Sequence, residues 1–277
     1  MGPPVRLQRL LAGLLLIAGL LVMQVRQAAA DDLAAIRQRG VLIVGVKDDY
    51  PPFGFRAPSG QIVGIEPALA GDLARSLGVK LELVPVLASN RIQLLQDGKI
   101  DLIIATMNDT LERRQAVEIV KPYYYAAGYA VLAPKATPLS SWTELKGKQV
   151  CGIRDAWYNY EAATNAGLRI VEFPALPEAL AALRQGQCAA LLYDDTSIAG
   201  LLLQPAWSDF TTPLDAQGEQ PWGIAVRKNQ PEWAKYVSAA IQRWTRDGTI
   251  VNLETEYRIR HSKFANDAHR RASTSGN

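Results

Sequence analysis

Residues 100–114, IDLIIATMNDTLERR, open as a continuous apolar run of the kind a buried parallel strand makes, break at Thr106-Met107-Asn108-Asp109, and resume as a helix start carrying two arginines. A strand that ends in small polar residues and runs into a helix N-terminus gathers free backbone N–H groups and a guanidinium around one point. That combination predicts a carboxylate-binding site.

On either side of this stretch, strands and helices alternate. Upstream, the helix pattern 31–39 stops at Gly40 and VLIVGV at 41–46 reads as a buried strand. The prolines of 47–53, KDDYPPF, then force a loop. A short strand at 61–64, a helix at 67–77 stopped by Gly78, a strand at 80–84 and a helix at 90–96 lead to the Asp97-Gly98 turn. The pattern changes at 121–125, KPYYY, and then repeats, with strands at 129–133, 149–153, 169–173 and 189–193 separated by helices near 141–145, 159–165 and 177–185. A last strand at 222–226 precedes a helix at 232–246, and periodicity does not say which half they join. Strands alternating with helices predict parallel α/β sheets, and two such series predict two lobes. Beyond Arg260 the apolar period is lost, which predicts a flexible tail over 261–277.

The first thirty residues stand outside this scheme. Arg6 and Arg9 precede the apolar run 10–23, and Ala28-Ala29-Ala30 fits a small-residue cleavage site before Asp31, so 1–30 reads as a cleaved signal peptide and the mature protein as periplasmic. The run is short for a span of about 20 residues. The whole chain carries 30 Lys and Arg against 27 Asp and Glu, and the first thirty residues hold three arginines and no acid, leaving 27 against 27. A neutral mature chain has no basic surplus for nucleic acid or an acidic membrane.

Cys151 and Cys188 are the two cysteines of the chain. In an oxidising compartment such a pair reads as a disulfide, two buried free thiols being the alternative. His, Cys, Asp and Glu do not cluster at metal-ligand spacing, so neither a metal nor a cofactor is expected. Both histidines, His261 and His269, lie in the tail, and GxSxG, Walker A and GxGxxG motifs are absent, so a His-dependent hydrolase or nucleotide enzyme is not expected. What remains is a set of charged and aromatic residues at strand ends, where open α/β sheets bind ligands.

Seven segments in order, VGVKDDYPPFGF, GIEPALAGDLARSLG, QDGKIDLIIATMNDTLERR, KPYYYAAGYAVLAPK, GKQVCGI, LLYDD and WGIAVRKNQPEW followed by RDGTI, resemble the periplasmic solute-binding proteins, family 3, of polar amino-acid ABC transporters, over residues 33–258. The resemblance implies two α/β lobes joined by two hinge strands, lobe 1 over 31–128 plus 222–260 and lobe 2 over 129–221. It also implies a monomer that delivers one amino acid to a transporter permease.

By the same resemblance Arg113 holds the ligand α-carboxylate through a fork of hydrogen bonds, with Thr106 and Asn108 as helpers and Arg114 on a solvated helix face. Asp195 is expected to take the α-ammonium, with Asp194 as its neighbour, although DDTS is also capping chemistry. Tyr50 is expected to pack over the ligand or to fill the core. Lys47 and Arg91 stand where acidic-amino-acid binders place cations. Unless Asp48 or Asp49 turns inward, two cations in one pocket call for a ligand carboxylate, so glutamate or aspartate is expected. The turn 154–159, RDAWYN, departs from the family's small hydroxyl residues, and Trp157 would fill or reshape that half of the site. A cyclohexadienyl-dehydratase-like enzyme, with Glu66 or Asp155 as proton donor, and a ligand-sensing module are the alternatives on this fold.

Overall fold

The computed structural model describes residues 31–259 and 261–274, so the expected signal peptide lies outside the described residues. Helix α1 (Asp32–Arg39) ends at Gly40 and leads into β1 (Val41–Val46), and α2 (Ile65–Leu77) ends at Gly78 and leads into β5 (Lys80–Pro85). Both glycines are left-handed, with φ of 70°, a conformation that Gly adopts without the steric cost other residues meet. The decisive stretch becomes β6 (Leu102–Ile103), an irregular turn, and the short helix α4 (Leu111–Ala116). β1 pairs in parallel with β5 on one side and β6 on the other.

Two long antiparallel strands, β7 (Glu118–Pro134) and β12 (Gln217–Val226), join this half to the second. In lobe 2, β8 (Gln149–Ile153) lies between β9 (Arg169–Phe173) and β10 (Ala190–Asp194), all parallel. The whole sheet runs β5-β1-β6-β12-β7-β10-β8-β9, with β11 (Phe210–Thr211) on β7. A separate three-stranded sheet is built of β2 (Asp49–Tyr50), β3 (Gly54–Arg56) and β4 (Ile62–Val63). The arrangement is a two-lobed α/β fold of the periplasmic-binding-protein type.

The separate strands expected at 129–133 and 222–226 are the ends of β7 and β12, and the lobe boundaries read from the sequence fall inside these strands. Pro122 does not end β7. The pairing jumps from Trp222↔Tyr125 to Ile224↔Val120, so residues 121–124 bulge out of the ladder around a residue with no N–H to donate. Where the two strands cross they lie too close for side chains. A Cβ on Gly128 would stand 2.6 Å from the Gln217 carbonyl oxygen, and one on Gly223 would stand 2.2 Å from Ile119 Cγ2.

Phe53 packs edge-on against Tyr125 and Trp222, which are tilted to each other by 34°, in a cluster at the lobe 1 end of the hinge with ring centroids 4.8–5.2 Å apart. Each such pair contributes about 1 kcal/mol beyond its buried area. On lobe 1, helix α8 (Pro231–Arg246) buries Trp233, Val237, Ala240, Ile241 and Trp244, one face at helical spacing.

The tail expected to be flexible is instead a helix, numbered α10 here (Lys263–Thr274), following α9 (Thr249–Glu256). It buries Ala265, and His269 Nδ1 sits 3.0 Å from the Thr245 carbonyl oxygen at the end of α8. The contacts that hold it come from α8, α9 and β7.

Cys151, on β8, and Cys188, just before β10, form a disulfide with Cα atoms 5.6 Å apart. Closing a loop of 37 residues stabilises the fold by about 4 kcal/mol in the chain-entropy account. The double variant Cys151→Ser/Cys188→Ser is expected to lose about 3–4 kcal/mol in urea denaturation, and an unchanged midpoint would contradict the assignment.

Candidate ligand-binding cleft

The end of β6 builds the lobe 1 wall. Residues 107–109 are stitched to hinge strand β12, with Gly223 N donating to Met107 O at 2.8 Å and Asp109 N to Pro221 O at 3.3 Å. Thr106 is left-handed, with φ of 48°, a costly conformation for a β-branched residue. Its N–H donates to Glu66 Oε1 at 2.7 Å, and the same oxygen accepts from the Tyr124 hydroxyl at 2.5 Å. Glu66 therefore ties the turn both to α2 and to hinge strand β7. The amide expected to meet a ligand carboxylate is already taken. The Arg113 N–H is likewise taken, by the Thr110 hydroxyl at 3.3 Å, so attraction for an anion rests on guanidinium groups.

A cavity of about 30 Å³ lies between the lobes, space for one or two water molecules. A free amino acid therefore enters by separation of the lobes. Lys47, Arg91, Thr106, Asn108 and Arg113 line it from lobe 1, and Trp157 lines it from lobe 2. Six of the eight residues expected at the site thus share one cavity.

The other two do not. Tyr50 is fully buried, its ring 5.3 Å from Tyr193 and 6.0 Å from Trp222, so it is core, and its hydroxyl lies 3.0 Å from Thr196 Oγ1. Asp195 opens helix α7 (Asp195–Leu202) and faces a wide groove of about 970 Å³ behind the hinge, shared with α10. That groove is larger, but no buried guanidinium lines it. The acid in the cleft is Asp194, the last residue of β10. The chain turns from strand to helix between the two carboxylates, so they point to different sides.

The cleft holds an unusual set of charges. Arg113 donates through Nη1 to Asn108 O at 3.1 Å and through Nη2 across the seam to Asp155 O at 3.3 Å. Arg91 is 3% exposed, bonds the Ala105 carbonyl, and leaves Nε without a partner. Among the described residues neither arginine has a carboxylate within ion-pair distance. Burial, and then the like charge of Arg113, pulls Arg91 down to about 9. Burial pushes Asp194 up to about 7, with the neighbouring Asp195 charge adding to it, and burial likewise pushes Glu66 up to about 7. Lys47 is buried, and its Nζ pairs with Asp49 Oδ1 at 2.7 Å. Arg114 is half exposed and pairs with Asp109, consistent with a solvated position.

Asp155 is left-handed, with φ of 60°, in the aromatic turn of lobe 2. Asn159 braces this turn, donating to Ile153 O at 2.8 Å and to Glu172 Oε1 at 2.9 Å. Trp157 packs on Tyr129 and Tyr158, with centroids 5.7 and 5.5 Å away, and its buried indole N–H has no partner among the described residues. Arg154 is exposed and adds no charge to the cleft. Four residues at or beside the cavity were not expected there as ligand-site groups: Asp194 in place of its neighbour, Tyr158, Tyr193 and Asp49. For Asp194 a signal existed in strand alternation, had the end of β10 been known.

Two lobes on crossed hinge strands, meeting over opposed buried charges, define a class: binding proteins that close over a small zwitterion. The model of bacterial extracellular solute-binding proteins, family 3, matches residues 42–259, and the chain belongs to that family. It is 31% identical over 234 residues to the ABC transporter glutamine-binding protein of Bacillus subtilis, covering 80% of this chain and 83% of that one. With the L-cystine-binding protein of Escherichia coli K12 it shares 28% identity over 252 residues, covering 89% and 94%. Among solved structures it resembles an ancestral amino acid-binding protein described as a precursor of cyclohexadienyl dehydratase, with a TM-score of 0.73, 30% identity, and coverage of 81% and 98%. Among the described residues no helix is long and apolar enough to cross a membrane.

Proposed function

We propose that this chain is the periplasmic, monomeric binding subunit of an ABC importer, and that its ligand is an amino acid with a polar, uncharged side chain, glutamine first among them. Arg113 takes the α-carboxylate and Asp194, in place of Asp195, the α-ammonium. Each lobe alone leaves one ligand charge unmatched, so the zwitterion favours the closed lobes.

The observation that carries the side-chain preference is the Lys47–Asp49 pair at 2.7 Å. The glutamate or aspartate expectation rested on Lys47 and Arg91 being uncompensated, and Asp49 turns inward. Lys47, Arg91 and Arg113 then stand against Asp49, Glu66 and Asp194. With every group ionised a neutral zwitterion preserves the balance, whereas glutamate adds an anion that Glu66 must offset by holding a proton. The unpartnered Asn108 Nδ2 and Trp157 Nε1 are donors suited to a side-chain carbonyl. The glutamine-binding relative supports the same reading.

Calorimetry at pH 8 on refolded, ligand-free protein tests it against glutamine, glutamate, aspartate, arginine, histidine and cystine. Glutamine is expected to bind at least about tenfold more tightly than glutamate, since every 1.4 kcal/mol is tenfold. The reverse order would restore the acidic ligand. A dehydratase has less support. Glu66 is engaged by Thr106 and Tyr124 and does not line the cavity, and Asp155, which does line it, is an exposed carboxylate without the burial that would hold a proton on it. Turnover of prephenate or arogenate would establish the enzyme.

A further inference from the structure

Asp49 is the acid of the cleft's charge set that bonds groups of both lobes, as Arg113 is the cation that does so. Asp49 lies on β2, in a three-stranded sheet of lobe 1, with its side chain 9% exposed. One carboxylate oxygen holds Lys47 Nζ at 2.7 Å, and the other accepts from the backbone N–H of Leu176 at 3.2 Å. Leu176 is the first residue of α6 (Leu176–Arg184) in lobe 2. The next residues of the same segment also cross the seam. Tyr50 reaches Thr196, and a Cβ built on Gly200 of α7 would stand 2.9 Å from the Pro51 carbonyl oxygen. Lys47 meanwhile lines the ligand cavity. Its charge is already matched by Asp49.

We infer that Asp49 sets the charge selectivity of the site. By holding Lys47 in the closed lobes, it turns a position suited to an acidic side chain into one that accepts an uncharged one. The inference rests on the amino-acid-binding reading above and deepens it. The physical step is desolvation. A buried ammonium needs a counter-charge, and the pocket admits it from either the protein or the ligand. With Asp49 present the protein supplies it, and a second carboxylate from glutamate or aspartate would share one lysine with Asp49 at the cost of like-charge repulsion. Without Asp49 the ligand carboxylate becomes the one satisfactory partner.

The test is Asp49→Asn, which keeps the size of the side chain and an oxygen to accept from Leu176 while removing the charge. The Kd values for L-glutamate and L-glutamine are measured by calorimetry at pH 8 in wild type, Asp49→Asn and Lys47→Met/Asp49→Asn. The ratio of the two cancels any effect on lobe closure. Asp49→Asn is expected to move that ratio toward glutamate by about ten- to a hundredfold, the range of a hydrogen bond to a charged group. The double variant is expected to abolish the shift. Gly200→Ala, which crowds Pro51 at the seam without touching the cavity, is the control, expected to weaken both ligands alike. An unchanged ratio in Asp49→Asn, or a uniform weakening like that of Gly200→Ala, overturns the inference. If the wild-type protein binds neither amino acid, the uncharged-ligand reading falls by itself. Appearance of glutamate binding in Asp49→Asn then still supports the role of Asp49, and its absence overturns it.

Discussion

Arg113→Ala is expected to weaken binding of L-glutamine by about two to three orders of magnitude. In the closed lobes its guanidinium is positioned by the Asn108 carbonyl at 3.1 Å and the Asp155 carbonyl at 3.3 Å. Both bonds use donors at the ends of the fork and keep its plane at the mouth of the cavity. Removing one member of a buried, hydrogen-bonded charge pair costs about 2–5 kcal/mol, much of it the penalty of leaving the partner charge unmatched. Arg113→Lys keeps the charge but loses the fork, so it is expected to fall between wild type and alanine. Arg114→Ala, one residue on, is expected to leave the affinity within about twofold, because that side chain is a half-exposed surface partner of Asp109. Calorimetry on the three variants separates these outcomes, and equal losses at 113 and 114 would remove Arg113 from its assigned place.

The second large effect is a pH dependence carried by Asp194. Burial, reinforced by the charge of Asp195, pushes its carboxyl up to about 7. The ligand ammonium needs the ionised form, so binding must expel a proton below that pH. Affinity is then expected to be flat above about pH 8 and to fall about tenfold per unit below about pH 7. Asp194→Asn should abolish the pH profile and lower the affinity at pH 8 by about a hundredfold. A variant that still shows the acid limb would place the titrating group elsewhere. The candidate for that is Glu66, also pushed up to about 7 by burial. Glu66→Gln is the control, expected to retain the acid limb.

Stability runs the other way. A buried carboxyl with a raised pKa binds its proton more tightly folded than unfolded, so the stabilisation is fully present below its ordinary range of about 4 and is lost as pH rises through about 7. For Glu66 that contribution amounts to about 3 kcal/mol between pH 4 and 8. Urea denaturation should show this decline in ligand-free wild type and a shallower one in Glu66→Gln, the remainder belonging to Asp194, which burial also pushes up to about 7. Ligand affinity and fold stability therefore have opposite pH slopes from chemically similar groups. In the proposed complex Asp194 gains a partner when the ligand arrives. Glu66 already has Tyr124 and Thr106, with Arg91 and Lys47 as the nearest cations.

Most elements and their alternation were legible because they are local, whereas the strand order of the sheet was not. VLIVGV is a six-residue apolar run before a double-proline loop, and β1, β8 and β9 have the bounds the sequence predicts. The lysine and arginines of the cleft were legible too, through the motifs that carry the family resemblance. The continuity of β7 was not legible, because Pro122 is a local stop signal. It is overridden by a bulge that the partner strand tolerates through Gly223. Helix α10 was missed for a similar reason, since the groups that hold it are Thr245 and Glu254, on α8 and α9.

The sequence by itself determined the two-lobed α/β architecture, the pairing chemistry of Cys151 and Cys188, and the cationic lobe 1 wall at Lys47, Arg91 and Arg113. The first two follow from periodicity and compartment, and the third from the resemblance that the motifs carry. Only the tertiary structure decided which of two adjacent carboxylates lines the cleft, that Tyr50 is core, and that Asp49 answers Lys47. A one-residue step from strand to helix turns a side chain to another side, and the neutralisation of a buried charge depends on groups placed by both lobes. The charge balance of the cleft is therefore a property of the closed seam.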